Sequence, residues 1–484
     1  MMSERHVIAV DLGAESGRVI QVGFDGKDFS LKEAHRFVNA PATVRGVLYW
    51  DALRLWNDIT EGIKAVQQDA ASVGVDTWGV DFALLDRDGN LLCNPVHYRD
   101  ARKEGSMEWV FERVPRRTIF ERTGIQFMVI NGLFQFASMV RDNSAILNSI
   151  GTALTMGDLF TYWLSGSRTS EFTLATTTQC YNPIAKNWDY ETLAAIGIPT
   201  GIFPQIVPTG TRVGEYNGIP VVATACHDTG SAVVAVPTTT DNFAYISSGT
   251  WSLIGLEIPA PVINDASYEA NITNEGGVGG TFRMLKNQMG LWLAQQSRAT
   301  WRDQGTKYSY DELAQMATTA QPFVSFIDPD DPSFLRPGDM PARIREFCVK
   351  TGQKAPESHA QVMRTIYESL ALKYRHILGH LISLTDRKVD RMHIIGGGSQ
   401  NRVLCQMTAD AIGRPVVAGP VEATAMGNAI VQMIALGELA SVAQAREILS
   451  RAAETVIYEP KNTAAWDEAY DRFKSIVGKL GTFN

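Results

Sequence analysis

The stretch "RHVIAVDLGAESGRVIQVGF" sets two β-branched apolar runs around a short segment that holds Asp11, Gly13 and Ser16. That pattern predicts a β-hairpin, because glycine permits the tight turn and each flanking run suits a strand. A shorter version recurs at "FAYISSGTWSLIGLE", where Ser247, Ser248 and Gly249 are expected in the turn and Thr250 follows. Aligning Gly13 with Gly249 sets Asp11 opposite Ser247 and Ala14 opposite Thr250. The repeat predicts two domains that open with the same device. Size points the same way, since 484 residues exceed the roughly 250–300 at which a single core stops growing. "VPTTTDN" has the composition of a connection, so the expected domains are residues 1–239 and 240–484.

Strand-like and helix-like segments alternate along the chain, which predicts an α/β fold with mixed sheets. In "SHAQVMRTIYESLALKYRHILGHLISL", Val362, Ile366, Leu370, Tyr374, Ile377 and Leu381 recur every three to four residues and predict an amphipathic helix with a core-facing stripe. "RMHIIGGGSQNRVLCQMTADAIG" reads as strand, glycine turn and a helix ending near Gly413. After the short strand "RPVVAGP", the small residues of "EATAMGNAIVQMIALG" suit close helix packing around Ala425, Gly427 and Ala429. Two stretches rich in Pro, Gly and Asp, "GIPTGIFPQIVPTGTRVGEYNGIP" and "FIDPDDPSFLRPGDMPAR", are expected as surface loops.

A balance of 44 basic against 52 acidic side chains gives a formal charge of -8, which argues against a general nucleic-acid or anionic-membrane surface. Any phosphate must therefore be gripped locally. The start, "MMSERHVIAVDLG", lacks the pattern of a secretory signal, and no run reaches the ~18 apolar residues of a membrane span, so a cytoplasmic protein is expected. Cys93, Cys180, Cys226, Cys348 and Cys405 are dispersed and odd in number, which indicates neither a zinc framework nor a disulfide scaffold.

Several short segments could carry chemistry. In "IPVVATACHDTGSAVVAV" an apolar strand runs into His227 and Asp228 and then small residues, so Asp228 should sit where strand meets helix. It could cap that helix or act as a catalytic carboxylate. Asp11, Gly13, Ser16 and Arg18 form either an ordinary tight turn or a phosphate cradle, in which Asp11 could organise Mg²⁺ through water. "IIGGGSQN" departs from a dinucleotide fingerprint because Asn401 stands where the third glycine belongs. It is either a packing turn or a place for adenine or ribose to approach backbone. Neither a Walker loop nor a Gly-x-Ser-x-Gly elbow is present. "GVDTWGVDFALLD" and "HYRDARK" bring Asp76, Trp78, Gly79, Asp81, Arg99, Asp100 and Arg102, which are either polyol-binding groups or core and surface pairs. Asn287 and Gln295 could hydrogen-bond a ligand or simply belong to an exposed helix.

In order, "AVDLGAESGRV", "DTWGVDF", "HYRDAR", "RTGIQF", "HDTGSA", "SSGTWSL", "NITNEGG", "LKNQMGLW", "IIGGGSQN" and "AGPVEATAMGN" resemble the FGGY carbohydrate-kinase family from about residue 6 to about residue 430. The run "NITNEGG…LKNQMGLW" departs from the glycerol- and xylulose-kinase pattern. The resemblance implies two actin-like ATPase (ribonuclease H-like) domains, with mixed sheets flanked by helices and the active site in the interdomain cleft. The first would bind sugar and supply the phosphate hairpin, and the second would bind the adenine nucleotide. The implied reaction moves the ATP γ-phosphoryl group to the carbon 1 hydroxyl of L-rhamnulose, with Mg²⁺. Ala14, Glu15, Ser16, Gly17, Arg18, Thr250, Gln295 and Gly397 would contact ATP; Gly79, His227, Asp228, Thr229 and Asn287 would contact the sugar. Asp228 becomes the expected general base and Asp11 the metal-organising carboxylate. A monomer or small homo-oligomer acting on sugar and ATP is expected. Other ketose or polyol kinases, such as fuculokinase or ribulokinase, and a nucleotide-driven structural or chaperone protein on the same fold remain as alternatives.

Overall fold

A computed structural model describes residues 4–478. The described chain divides into two compact units. The first takes the chain up to Thr239 together with Glu257–Met284 and Ala423–Ala452; the second takes Thr240–Leu256, Leu285–Glu422 and the described chain from Ala453.

The first sheet is built from β1 (Arg5–Leu12), β2 (Ser16–Phe24), β3 (Phe29–Val38), β4 (Ala70–Thr77), β5 (Thr211–Tyr216) and β6 (Ile219–Ala223), in the order β5-β6-β4-β1-β2-β3. β1 and β2 form the expected antiparallel hairpin, with Asp11 opposite Arg18 and Leu12 opposite Gly17. β4 runs parallel to β1 and places Asp76 beside Asp11. β6 runs parallel to β4 in turn. Val7, Ile8, Ala9, Val10, Val73 and Val75 are fully buried, so these central strands read as continuous apolar runs rather than alternating ones.

The second sheet repeats the scheme with β7 (Phe243–Ser248), β8 (Trp251–Ile258), β9 (Thr273–Gly276), β10 (Phe282–Met289), β11 (Arg391–Ile395), β12 (Val416–Ala418) and β13 (Val456–Tyr458), ordered β9-β10-β8-β7-β11-β12-β13. β7 and β8 are the second hairpin, and β11 lies parallel to β7 as β4 does to β1. The turn is tighter than expected: Ser247 and Ser248 remain in β7, leaving only Gly249 and Thr250 between the strands. Ser248 pairs with Ser252 across the ladder, which accounts for the difference.

Seven helices matter for the site: α1 (Ala52–Val66), α2 (Phe172–Thr177), α3 (Asp228–Val234), α4 (Trp292–Asp303), α5 (His359–Thr385), α6 (Arg402–Ile412) and α7 (Ala423–Ala435). α5 buries the expected stripe, and its start is fixed by a capping box between Ser358 and Gln361. Gly413 ends α6 in the left-handed conformation, φ 63°. One loop expectation fails. In "FIDPDDPSFLRPGDMPAR" Phe326, Ile327, Asp328 and Phe334 are fully buried, because Asp328 pairs with the buried Lys373 of α5 at 3.0 Å and carries the loop inward with it. The other stretch contributes β5 and part of β6 rather than loop alone. Among the described residues no helix is long and apolar enough to cross a membrane.

Candidate functional site

Asp228 stands at the first position of α3, immediately after the strand-to-helix turn that follows β6. The N-cap is His227, whose side chain makes no capping bond. Instead, Asp228 Oδ1 accepts from the backbone N–H and hydroxyl of its neighbour Thr229. The turn is clamped from behind. Glu171, fully buried at the start of α2, accepts from the N–H of Cys226 at 3.1 Å, and the Thr173 hydroxyl accepts from the N–H of His227 at 3.0 Å. The N–H of Thr77 at the end of β4 donates to the Cys226 carbonyl at 2.8 Å, which ties the turn to the central sheet.

Around Asp228 the first unit assembles several charged groups. Asp11 pairs with Arg18 across the hairpin. Asp76 is fully buried beside Asp11, and burial, with the Asp11 charge, holds its carboxyl well above the usual range. Asn428 of α7 donates to Asp76 Oδ2 at 2.6 Å, whereas Asp76 Oδ1 has no hydrogen-bond partner among the described residues. Asp228 is also pushed up, chiefly by burial and further by the Asp11 charge. Its side chain keeps 30% of its surface exposed, so the push from burial is only partial and the carboxyl stays reachable.

Gly79 belongs to the same neighbourhood: a Cβ there would lie 3.3 Å from His227 Nε2 and 3.2 Å from the Thr177 hydroxyl. The turn after it is strained, with Val80 at φ 69° and the Asp81 N–H donating to the Gly79 carbonyl at 2.9 Å. Asp81 holds that turn in place. Buried, it accepts from Trp50 Nε1 at 2.6 Å, Trp78 Nε1 at 3.1 Å, Gln135 Nε2 at 2.9 Å and the Tyr98 N–H at 3.2 Å. Burial still outweighs these donors and raises its carboxyl to about 6. Trp78 is therefore a core residue packed on Trp50, and Asp100 fastens a loop by accepting from the N–H groups of Leu48 and Arg102.

The first hairpin turn is closed by the Gly13 N–H donating to the Ser16 carbonyl at 2.9 Å. Asn39 brackets it, donating from its side chain to Gly13 O at 2.8 Å and from its backbone to Glu15 O at 2.9 Å. Ala14 and Ser16 are half-buried and Glu15 exposed. Gly17 is buried against Phe37, whose ring would stand 2.2 Å from a Cβ.

Within the second unit, the Thr250 carbonyl accepts from the N–H groups of Gly290 at 3.1 Å and Trp292 at 3.2 Å, which joins the second turn to the start of α4. Gln295 lies in the first turn and a half of α4, with a buried Oε1 that has no hydrogen-bond partner among the described residues. Among the described residues nothing lies within 4 Å of a Cβ built on Gly397, while its neighbour Gly398 fits tightly against Ser248. Thr250, Gln295 and Gly397 are thus gathered around one hairpin and its flanks. Asn287 is half-buried on β10.

Two residues to which the sequence reading gave no role stand beside His227. Arg283, fully buried on β10, lies 2.9 Å from His227 Nδ1, and Glu275 of β9 lies 3.3 Å from the same nitrogen. Their signal was a lone arginine and a lone glutamate inside otherwise buried strands, as Glu171 is in "SEFTLATTT".

The chain matches the N-terminal domain of the FGGY family of carbohydrate kinases over residues 6–235 and the C-terminal domain of that family over residues 244–436. It is similar to a rhamnulokinase of Bacteroides thetaiotaomicron (strain ATCC 29148 / VPI-5482), with 45% identity covering 98% of this chain and 100% of the relative. It is also similar to a rhamnulokinase of Enterobacter sp. (strain 638), with 41% identity covering 93% of each. Among solved structures it resembles ligand-bound xylulose kinase from Lactobacillus acidophilus, at 15% identity and TM-score 0.80 over 99% of this chain and 98% of that one. Glycerol kinase of Plasmodium falciparum with ADP is similar at 16% identity and TM-score 0.74, over 99% of this chain and 98% of that one. These two likenesses concern the fold.

Proposed function

The chain belongs to the FGGY family of carbohydrate kinases, and from that premise we propose the course of its reaction: phosphorylation of L-rhamnulose by ATP at the carbon 1 hydroxyl, giving L-rhamnulose 1-phosphate and ADP. The observation that carries the chemistry is Asp228, a carboxylate clamped at a strand-to-helix turn yet 30% exposed, beside the Asp11–Arg18 pair. Residues 1–239 are assigned to sugar binding and the phosphate hairpin, and 240–484 to the adenine nucleotide; the family matches over 6–235 and 244–436 support a division near residue 240.

In this reading the sugar hydroxyl oxygen forms a bond to the γ-phosphorus while the bond from that phosphorus to the β–γ bridging oxygen breaks and ADP leaves. Asp228 takes the hydroxyl proton. Because phosphoryl transfer has loose, metaphosphate-like character in most analyses, alignment of the hydroxyl contributes more than its prior deprotonation. His227, Thr229 and Gly79 orient the sugar, and Asn287 is a further sugar contact. Arg18 and the N–H groups of the 14–17 turn meet phosphate oxygens. Gly397 leaves room for the nucleotide to approach backbone, and Gln295 Oε1 offers it an acceptor. Thr250 contacts the phosphates.

Magnesium suits this oxygen-rich setting, since Asp11 and Asp76 stand side by side and Asp76 Oδ1 has no hydrogen-bond partner among the described residues. Asp11 would hold it, directly or through water, with Asp76 behind it. Bound there, the ion would neutralise charge on the β- and γ-phosphates.

The test is ADP release on purified L-rhamnulose, L-fuculose, L-ribulose, D-xylulose and glycerol. The expected outcome is the highest kcat/KM on L-rhamnulose. Faster release on another sugar reassigns the substrate, and release independent of every sugar overturns the kinase reading.

A further inference from the structure

His227 is held in an environment that decides which of its ring nitrogens carries the proton. Arg283 lies at the other end of the ring from Asp228. Its Nε donates to the Gly276 carbonyl at 2.8 Å, and its Nη2 stands 2.9 Å from His227 Nδ1 and 3.3 Å from Glu275 Oε2. One guanidinium nitrogen therefore bridges the imidazole and the carboxylate. A guanidinium only donates and is not deprotonated in proteins, so Nδ1 must offer its lone pair. Glu275 Oε2 also lies 3.3 Å from Nδ1 and could accept a proton from it, but an imidazolium, or the Nδ1–H tautomer, would set donor against donor at the shorter 2.9 Å contact with Arg283, and that contact decides for the lone pair. The proton is left on Nε2, which faces Asp228 Oδ1 at 3.4 Å and lies 3.3 Å from where a Cβ on Gly79 would stand.

We propose that Arg283, steadied by Glu275 and the Gly276 carbonyl, is a positioning residue that locks His227 as the neutral Nε2–H tautomer. His227 then serves as a fixed hydrogen-bond donor to the reacting hydroxyl oxygen and leaves Asp228 as the only proton acceptor beside it. The inference rests on the sugar-kinase reading of the site. It explains a chemical difficulty in that reading: two side chains that could each take a proton stand next to each other, and transfer to the wrong one would turn the hydroxyl away from phosphorus. A donor at Nε2 accepts no proton, so the oxygen receives a hydrogen bond from His227 while its own hydrogen points to Asp228.

The tautomer is read directly by two-dimensional ¹⁵N–¹H spectroscopy of imidazole-labelled full-length protein without substrates. His227→Gln identifies the resonances by their loss. The expected spectrum has an unprotonated Nδ1 and a protonated Nε2, and Arg283→Met shifts it towards Nδ1–H or a mixture. An Nδ1–H or doubly protonated His227 in the wild type overturns the inference, as does an unchanged tautomer in a folded Arg283→Met protein. Because Arg283 is fully buried, a second pair of variants gives an answer even where that replacement does not fold. The amide nitrogen of Gln reaches the place of Nε2, and that of Asn the place of Nδ1. His227→Asn should raise the KM for L-rhamnulose about fivefold more than His227→Gln does, with a smaller change in kcat, the loss expected for one hydrogen bond of about 1 kcal/mol net. Equal KM values, or better binding by the Asn variant, overturn it. The spectrum needs no sugar, so a wrong substrate leaves it standing, whereas the wrong tautomer leaves ADP release on L-rhamnulose intact.

Discussion

Asp228 is the residue on which turnover should depend most steeply. Asp228→Asn keeps the acceptor for the Thr229 N–H and removes a charge that burial disfavours, so the variant should fold at least as stably as the parent. Turnover should fall by about 10²–10⁴, the usual contribution of a positioned base. The pH profile has a definite sign. A base must be ionised to act, and burial raises this carboxyl above its ordinary value of 3.8, so kcat/KM should decline on the acid side at a pH above that figure. Steady-state rates across pH check both points, and near-normal turnover in the Asn variant would remove Asp228 from the role. The sequence pointed to this residue because an acid between an apolar run and small residues has few other places to be. It left the residues behind Asp228 unassigned. Glu171, Glu275 and Arg283 come from other elements, and each is an isolated polar signal in a run that reads as buried strand or helix, with Lys286 sharing the strand of Arg283. Only tertiary packing shows that they converge on one turn.

At the scale of elements, hydrophobic period and turn chemistry carried most of the legible structure: both hairpins, α5 with its stripe, and the strand–glycine–helix passage into α6. Where period gave way to composition, the reading failed, as in the loop that Lys373 draws into the core by its bond to Asp328. The small residues of α7 suit a packing surface, and α3 is what they pack against. A Cβ on Gly427 would lie 1.7 Å from the Ser231 carbonyl oxygen, which is backbone and cannot swing aside. On helix propensity alone Gly427→Ala should gain about 1 kcal/mol. The clash reverses that sign, since forced backbone shifts cost about 1–3 kcal/mol or more. We expect a net loss of roughly 1–2 kcal/mol in urea denaturation. Because α3 begins at Asp228, kcat should fall as well, with the KM for ATP changing less. A variant as stable and active as the parent would contradict the contact.

For the molecule as a whole, the duplicated hairpin was visible in the sequence because it is local. A change of composition near residue 240 marks one point along the chain. The return of Glu257–Met284 and Ala423–Ala452 to the first unit is set by contacts far apart in sequence, which composition does not encode. Stability against pH is likewise a property of the entire fold, and here buried acids set its direction. Asp158, fully desolvated within the helix Met156–Ser165, accepts from the hydroxyls of Thr155 and Ser170 and the N–H of Glu171, yet burial raises its carboxyl to about 7. Below the ordinary value of 3.8 this group is neutral in folded and unfolded chains, and its contribution is fully present. As pH rises from 3.8 through 7 the unfolded chain releases the proton while the folded one retains it, so stability is lost across that window. A shift of about three units corresponds to at most about 4 kcal/mol, and Asp81, raised to about 6, adds a loss of the same sign. Asp158→Asn preserves the acceptor for the Glu171 N–H, and its amide can donate to the two hydroxyls, whose protons are free to turn. Urea midpoints at pH 5, 6, 7 and 8 should therefore fall less steeply with pH in the variant than in the parent. Parallel profiles would show that this buried carboxyl does not govern the molecule's response to pH.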